Sequence, residues 1–146
     1  MSSQSGGGRS PTDNPLRRRR KTSNNRHGEG SEYDIQTRVA QYLDTEHPNV
    51  LWCASAGGAR TSMNEAKRLK AAGYKKGFPD VFVYEPRGAF HGLAIELKKD
   101  KGGRVSATQR EWIAALEARG YRAVVAKGLE AAQMVIVDYL GVDNNR

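Results

Sequence analysis

Residues 79–98 read PDVFVYEPRGAFHGLAIELK, and the fold turns on how this stretch is laid out. Val81-Phe82-Val83-Tyr84 is a β-branched and aromatic run, Pro86-Arg87-Gly88 has turn chemistry, and Leu93 to Leu97 is a second apolar run. Two strands joined by a turn are expected. Alternate residues of a strand share a face, so Glu96 and Lys98 point one way and Leu97 the other. Pairing the strands across the turn can bring Asp80, at the start of the first, beside Glu96, at the end of the second. Two carboxylates and a lysine would then converge at one edge of a sheet.

The flanking sequence supplies the rest of the domain. Upstream, Ser31-Glu32-Tyr33-Asp34 reads as a helix start capped by Ser31, and Ile35, Val39, Tyr42 and Leu43 carry the helix to about Asp44. Val50 to Ala54 is a short buried-strand candidate closed by Gly57-Gly58. Ser62-Met63-Asn64-Glu65 is a capping box opening a helix that runs to Ala72 and stops at Gly73. Downstream, Asp100 to Arg104 is a polar loop and Ser106 caps a helix through Arg119, ended by Gly120. Tyr121 to Ala126 is a last strand and Leu129 to Leu140 a last helix. The order α, β, α, β, β, α, β, α describes an α/β domain with a mixed central sheet flanked by helices.

Composition sets the outer limits. The chain has 146 residues and a net charge of +8. Apart from Met1 and Leu16, residues 1–30 hold no aliphatic or aromatic side chain, so this segment is expected to be a disordered arm, with the domain at residues 31–142. The arm carries seven Lys/Arg against two acids, hence five of the eight net positive charges. Its run Arg17-Arg18-Arg19-Arg20-Lys21 suits phosphate binding without sequence reading; a solvated tail or a localisation-like run is the plain alternative. Cys53 is the single cysteine, and His27, His47 and His91 lack ligand spacing, which excludes a disulfide framework and a cysteine zinc site. With no membrane-length apolar stretch and no signal-peptide core, the expectation is a soluble protein of the cytoplasm, with no membrane partner.

The chemistry of the strand ends follows from the side chains. Asp80 and Glu96 are hard oxygen ligands of the kind that hold Mg²⁺ or Mn²⁺, and Lys98 can orient or deprotonate a water or offset charge on a phosphate. A Glu96–Lys98 salt bridge at a surface strand end is the bland reading. At about 100° per residue, Glu32 falls on the line of Val39 and Leu43, so it lies on an apolar stripe. It is either a metal-site acid or a first-turn acid favoured by the helix dipole. Gln109 forms an i, i+3, i+4, i+7 stripe with Trp112, Ile113 and Leu116. It either faces the site or closes a capping box with Ser106. Tyr33, Trp52 and Trp112 are expected to pack.

In this order the motifs resemble the VRR-NUC branch of the PD-(D/E)XK nuclease superfamily. The likeness is carried by Gly77-Phe78-Pro79-Asp80, Ile95-Glu96-Leu97-Lys98 and Ser106 to Gln109. Ser31-Glu32-Tyr33-Asp34-Ile35-Gln36 and Asn64-Glu65-Ala66 through Leu69-Lys70 join them, so it spans Ser31 to Leu140. The resemblance implies a restriction-endonuclease-like αβββαβ core and Mg²⁺- or Mn²⁺-dependent cleavage of DNA. It implies that Asp80 and Glu96 are metal ligands, Glu32 a further acid, Lys98 the catalytic lysine and Gln109 the family's glutamine. It also implies homodimers that act on branched DNA such as Holliday junctions. The segment Ser55-Ala56-Gly57-Gly58-Ala59-Arg60 departs from the pattern, having no Asn before the paired glycines.

Gly57-Gly58 would let a backbone approach a phosphate closely. Arg60, Lys67, Lys70, Lys75 and Lys76 cluster before the Pro-Asp pair, and Lys99, Lys101 and Arg104 follow the lysine motif. Both groups are expected to flank the active-site edge and hold the DNA backbone, the alternative being a solvated charged face. Sparse aromatic interleaving argues against a single-strand stacking platform. The expected function is a structure-selective DNA endonuclease. A nicking or restriction-like nuclease and a non-catalytic DNA-binding module are the alternatives.

Overall fold

The computed structural model describes residues 30–55 and 62–142. Its elements are α1 (Glu32–Glu46), β1 (Trp52–Ala54), α2 (Met63–Ala71), β2 (Val81–Val83), β3 (Leu93–Lys98), α3 (Ala107–Glu117), β4 (Arg122–Lys127) and α4 (Leu129–Leu140). All six residues of β3 are buried, so this strand must be covered on both faces and cannot lie at an edge. The sheet obeys that requirement with the order β1-β2-β3-β4. β1 and β2 pair antiparallel, as do β2 and β3, whereas β3 and β4 pair parallel with α3 as the crossover between them.

The two faces of β3 bury different things. Leu93, Ile95 and Leu97 meet Ile35, Val39 and Leu43 of α1 and Ala132, Ile136 and Tyr139 of α4. On the other face Ala94 joins Phe82, Ala123 and Leu116 of α3, with Phe78, Trp112, Ile113 and Tyr121 packed around them. Glu96 and Lys98 continue the Ala94 side by alternation, past the point where that apolar cluster ends. The mixed sheet flanked by helices is the architecture expected from the element order.

Local signals account for the helix starts. The Ser31 side chain accepts from the Asp34 amide at 3.1 Å. Ser62 with Glu65 and Ser106 with Gln109 both form reciprocal capping boxes. The differences from expectation concern packing. Among the described residues β1 is an edge strand rather than a buried one, since only β2 pairs with it; Cys53 is exposed and Leu51 is 65% exposed. Trp52 and Trp112 are half-buried, each using its indole N–H outward, to Asp44 Oδ1 at 3.0 Å and to the Lys76 carbonyl at 3.2 Å. Tyr33 is exposed rather than packed in the core, because the apolar stripe of α1 runs through Ile35, Val39 and Leu43. The basic arm, save for Gly30, and the Gly57, Gly58 and Arg60 loop lie outside the described residues. Among the described residues no helix is long and apolar enough to cross a membrane.

The central position of β3 sets an expectation for stability. Truncating the fully buried Ile95 to Ala should cost about 3 kcal/mol in urea unfolding through lost burial and a residual cavity. Met134→Ala, at a site that is 66% exposed, should stay within about 0.5 kcal/mol. Equal costs at the two positions would contradict the core described here.

Candidate active site

The β2–β3 register begins the site. Val81 pairs with Ile95, so one residue further out Asp80 stands opposite Glu96. Asp80 Oδ2 accepts from the Leu97 amide at 2.8 Å, and the Asp80 carbonyl accepts from the Ser55 amide at 2.8 Å. Pro79, which has no amide to give, is buried just before it. The Asp80 carboxylate is thereby fixed to the backbone of β3 at the point where the two strands part.

Glu96 and Lys98 are 2% and 5% exposed, an unusual place for charge, and each is satisfied by specific partners. Lys98 Nζ lies 3.2 Å from Glu96 Oε1 and 3.8 Å from Glu32 Oε1. Gln109 Nε2 donates to Glu96 Oε1 at 2.6 Å while Gln109 Oε1 accepts from the Ser106 amide at 2.8 Å. The two readings of Gln109 are therefore not rivals, because one amide caps α3 and grips the carboxylate at once. Glu32 differs from expectation in burial: its side chain is 46% exposed. It stands one turn before the buried Ile35, at the open end of the stripe, and reaches the cluster through Lys98.

Electrostatics at the strand ends is unbalanced. Burial pushes the Glu96 carboxyl up to about 7 from an ordinary 4.5, the charge of Asp80 adds to the push, and Lys98 opposes it. Burial also raises Asp80, against the hydrogen bond from the Leu97 amide and the charge of Lys98. The phenol of Tyr74 is raised by burial and then by these same two carboxylates, which puts Tyr74 beside them. One buried ammonium is left to serve Asp80, Glu96 and Glu32. Asp80 and Glu96 are the residues that could hold a metal. Among the described residues no three His, Cys, Asp or Glu side chains cluster as a metal cage. Two carboxylates with room for water suit a hard cation such as Mg²⁺ rather than a four-ligand zinc site.

A cavity of about 180 Å³ opens on Asp80, lined also by Tyr74, Lys76, Phe78, Thr108 and Gln109. Gly77 makes it possible: its φ is +89°, and a Cβ there would stand 2.7 Å from the Thr108 carbonyl carbon. A neighbouring groove runs along Lys70, Tyr74, Lys75 and Lys76. Three of the expected phosphate contacts, Lys70, Lys75 and Lys76, thus border the approach to Asp80. Lys67 is exposed on α2, and Lys99, Lys101 and Arg104 are exposed on the loop after β3. That loop folds back over the strand, since a Cβ at Gly103 would meet the Lys98 Cβ at 2.9 Å. Tyr74 and Thr108 were not legible as lining residues; Thr108 sits inside the Ser106–Gln109 box, but nothing periodic marks Tyr74.

The VRR-NUC domain model matches residues 25–130 of this chain. The chain belongs to the VRR-NUC family. It is similar to a solved "VRR_NUC domain protein" at 33% identity and a TM-score of 0.60, covering 76% of this chain and 88% of that one. A second solved structure, "VRR_NUC domain", is 21% identical with a TM-score of 0.46, covering 72% and 97%. No curated protein matches the chain. As a VRR-NUC domain it is a nuclease-type, DNA-processing domain with the α/β fold described above.

The raised Glu96 carboxyl has a thermodynamic consequence. The folded VRR-NUC domain holds this proton more tightly than the unfolded chain does. The associated stability is therefore present below the unfolded value of 4.5 and is lost as pH rises through about 7. In EDTA, calorimetric Tm should fall across that window more steeply for the wild type than for Glu96→Gln, which keeps an acceptor for Gln109 but cannot titrate. Parallel pH profiles for the two proteins would show that Glu96 is not held protonated by its surroundings.

Proposed function

We propose that this protein is a divalent-metal-dependent endonuclease that hydrolyses phosphodiester bonds in branched DNA, acting as a homodimer. The observation that carries the reading is the meeting of Asp80, Glu96 and Lys98 at two adjacent strand ends, with Gln109 locking Glu96 in place. Burying this much charge is costly for a fold and serves no purpose in a module that only binds DNA. Membership of the VRR-NUC family supports DNA as the substrate. The resemblance of the motif set supports branched DNA and pairing of two copies, which a family likeness alone suggests.

Asp80 and Glu96 are the residues that would hold Mg²⁺ or Mn²⁺. When bound, the cation supplies acidified water and charge neutralisation on the phosphate oxygens. The chain's own side chains do the rest. The Leu97 amide aims the Asp80 carboxylate, and Gln109 aims that of Glu96, so neither has to be ordered when substrate arrives. Lys98, anchored between Glu96 and Glu32, orients the attacking water or offsets charge gathering on the phosphate. Glu32 holds the Lys98 ammonium toward the open side of the cluster. Lys70, Lys75 and Lys76, with Lys67, Lys99, Lys101 and Arg104 further out, hold the flanking backbone, and their binding weakens as salt rises.

Cleavage of labelled four-way junction, flap and plain duplex DNA tests this in Mg²⁺, Mn²⁺ and EDTA. The wild type should cut the junction only with metal, and Lys98→Ala should lose at least ~100-fold in rate. Asp80→Asn should bind the junction and fail to cut it. Melting curves on both variants separate loss of chemistry from loss of fold. Binding by the wild type without cleavage under either metal would overturn the nuclease reading and leave a DNA-binding module.

A further inference from the structure

Beside the acidic cavity lies a larger groove along α3, about 400 Å³ in volume. Its floor is apolar, made by Trp112, Ala115 and Leu116, and its rim carries Lys76, Arg119 and Glu111. Lys76 and Thr108 line both this groove and the cavity that holds Asp80, so the two are neighbours. The indole is held in position. Phe78 meets Trp112 edge-on with ring centroids 5.1 Å apart, and the Trp112 N–H donates to the Lys76 carbonyl at 3.2 Å. The same hydrogen bond keeps the Lys76 segment at the boundary between groove and cavity.

We propose that this groove is a subsite for one unpaired nucleotide next to the scissile phosphate, an inference that rests on the nuclease reading above. An apolar, aromatic-floored concavity gives a phosphate nothing and gives the π-face of any base a surface to lie on. Cations at the rim match the backbone phosphates on either side of that base. Glu111 can only accept, which suits the N–H edge of a base rather than a phosphate. A paired base is stacked in the duplex and reaches such a groove only after extrusion, at a cost of a few kcal/mol. A base that is unpaired, as in a flap, avoids that cost, and one at the unstacked crossover of a junction pays less of it. The subsite would therefore favour branched over plain duplex DNA with no contact that reads sequence.

The binding itself is read without metal or cleavage. In a Trp52→Phe background Trp112 is the sole indole of the chain. Titration with a short oligothymidylate in EDTA should quench its fluorescence saturably. Ala115→Met fills the groove without removing Trp112 from its packing against Phe78. It should weaken oligothymidylate binding by about tenfold, the worth of one stacked base, and weaken blunt duplex distinctly less. No quenching, or an equal loss for both DNAs, would overturn the subsite. A change of sedimentation with Ala115→Met and none in oligothymidylate affinity would likewise overturn it, marking the groove as a contact between copies. Junction cleavage without quenching would sink the subsite alone. Quenching without any cleavage would sink the nuclease reading and leave a single-strand-binding groove.

Discussion

Glu96 and Lys98 lie 3.2 Å apart on a strand whose two faces are both covered, and everything near them is arranged around that fact. A buried ion pair gains little over apolar packing unless its remaining lone pairs and protons are also used. Here they are used from three directions. Gln109 takes one oxygen of Glu96 from α3, Glu32 approaches Lys98 from α1, and Asp80 comes alongside from β2. Each partner belongs to a different element, so the site cannot form before the sheet and both helix layers have docked. The compensation is still incomplete, because Glu96 and Asp80 both hold their protons more tightly than ordinary carboxylates do.

The small residues explain why the layers can meet there. Ala94 and Ala123 leave the α3 face of the sheet shallow, so α3 approaches closely enough for its first turn to touch Glu96. Gly77 then lets the segment before β2 press against Thr108, where a side chain would collide with backbone. The same approach closes the cavity floor over Asp80 and sets Lys76 between that cavity and the Trp112 groove. Packing on this face is thus inseparable from the geometry that the proposed chemistry and the proposed subsite both need.

Much of this was written in the order of the residues. Strand alternation places Glu96 and Lys98 on one side, and pairing across the Pro86 turn can bring Asp80 beside Glu96, where the observed register puts it. The capping boxes at Ser62 and Ser106 mark helix starts that the structure keeps. What stayed hidden depends on contacts between elements. β1 looks like a core strand by composition, but burial depends on how many neighbours a strand has, and among the described residues it has one. Glu32 lies on the apolar stripe of α1, yet it stands a turn before the first buried position, Ile35, and is left half in water. Tyr74 follows a helix-stopping glycine and belongs to no periodic pattern, so only the turn's tertiary path brings it to the carboxylates.

Gln109 shows why local and functional readings of one residue need not compete. A capping-box glutamine offers its carbonyl to the cap amide and leaves its NH₂ without a local partner. A glutamate in that position would cap equally well but would set a carboxylate against Glu96 in a place already overfilled with negative charge. The amide instead supplies a donor where the site needs one and adds no charge. The cap fixes the rotamer, and the rotamer fixes the donor against Glu96 Oε1 at 2.6 Å. Helix initiation and the aim of the carboxylate are therefore a single constraint, set by the backbone N–H of Ser106.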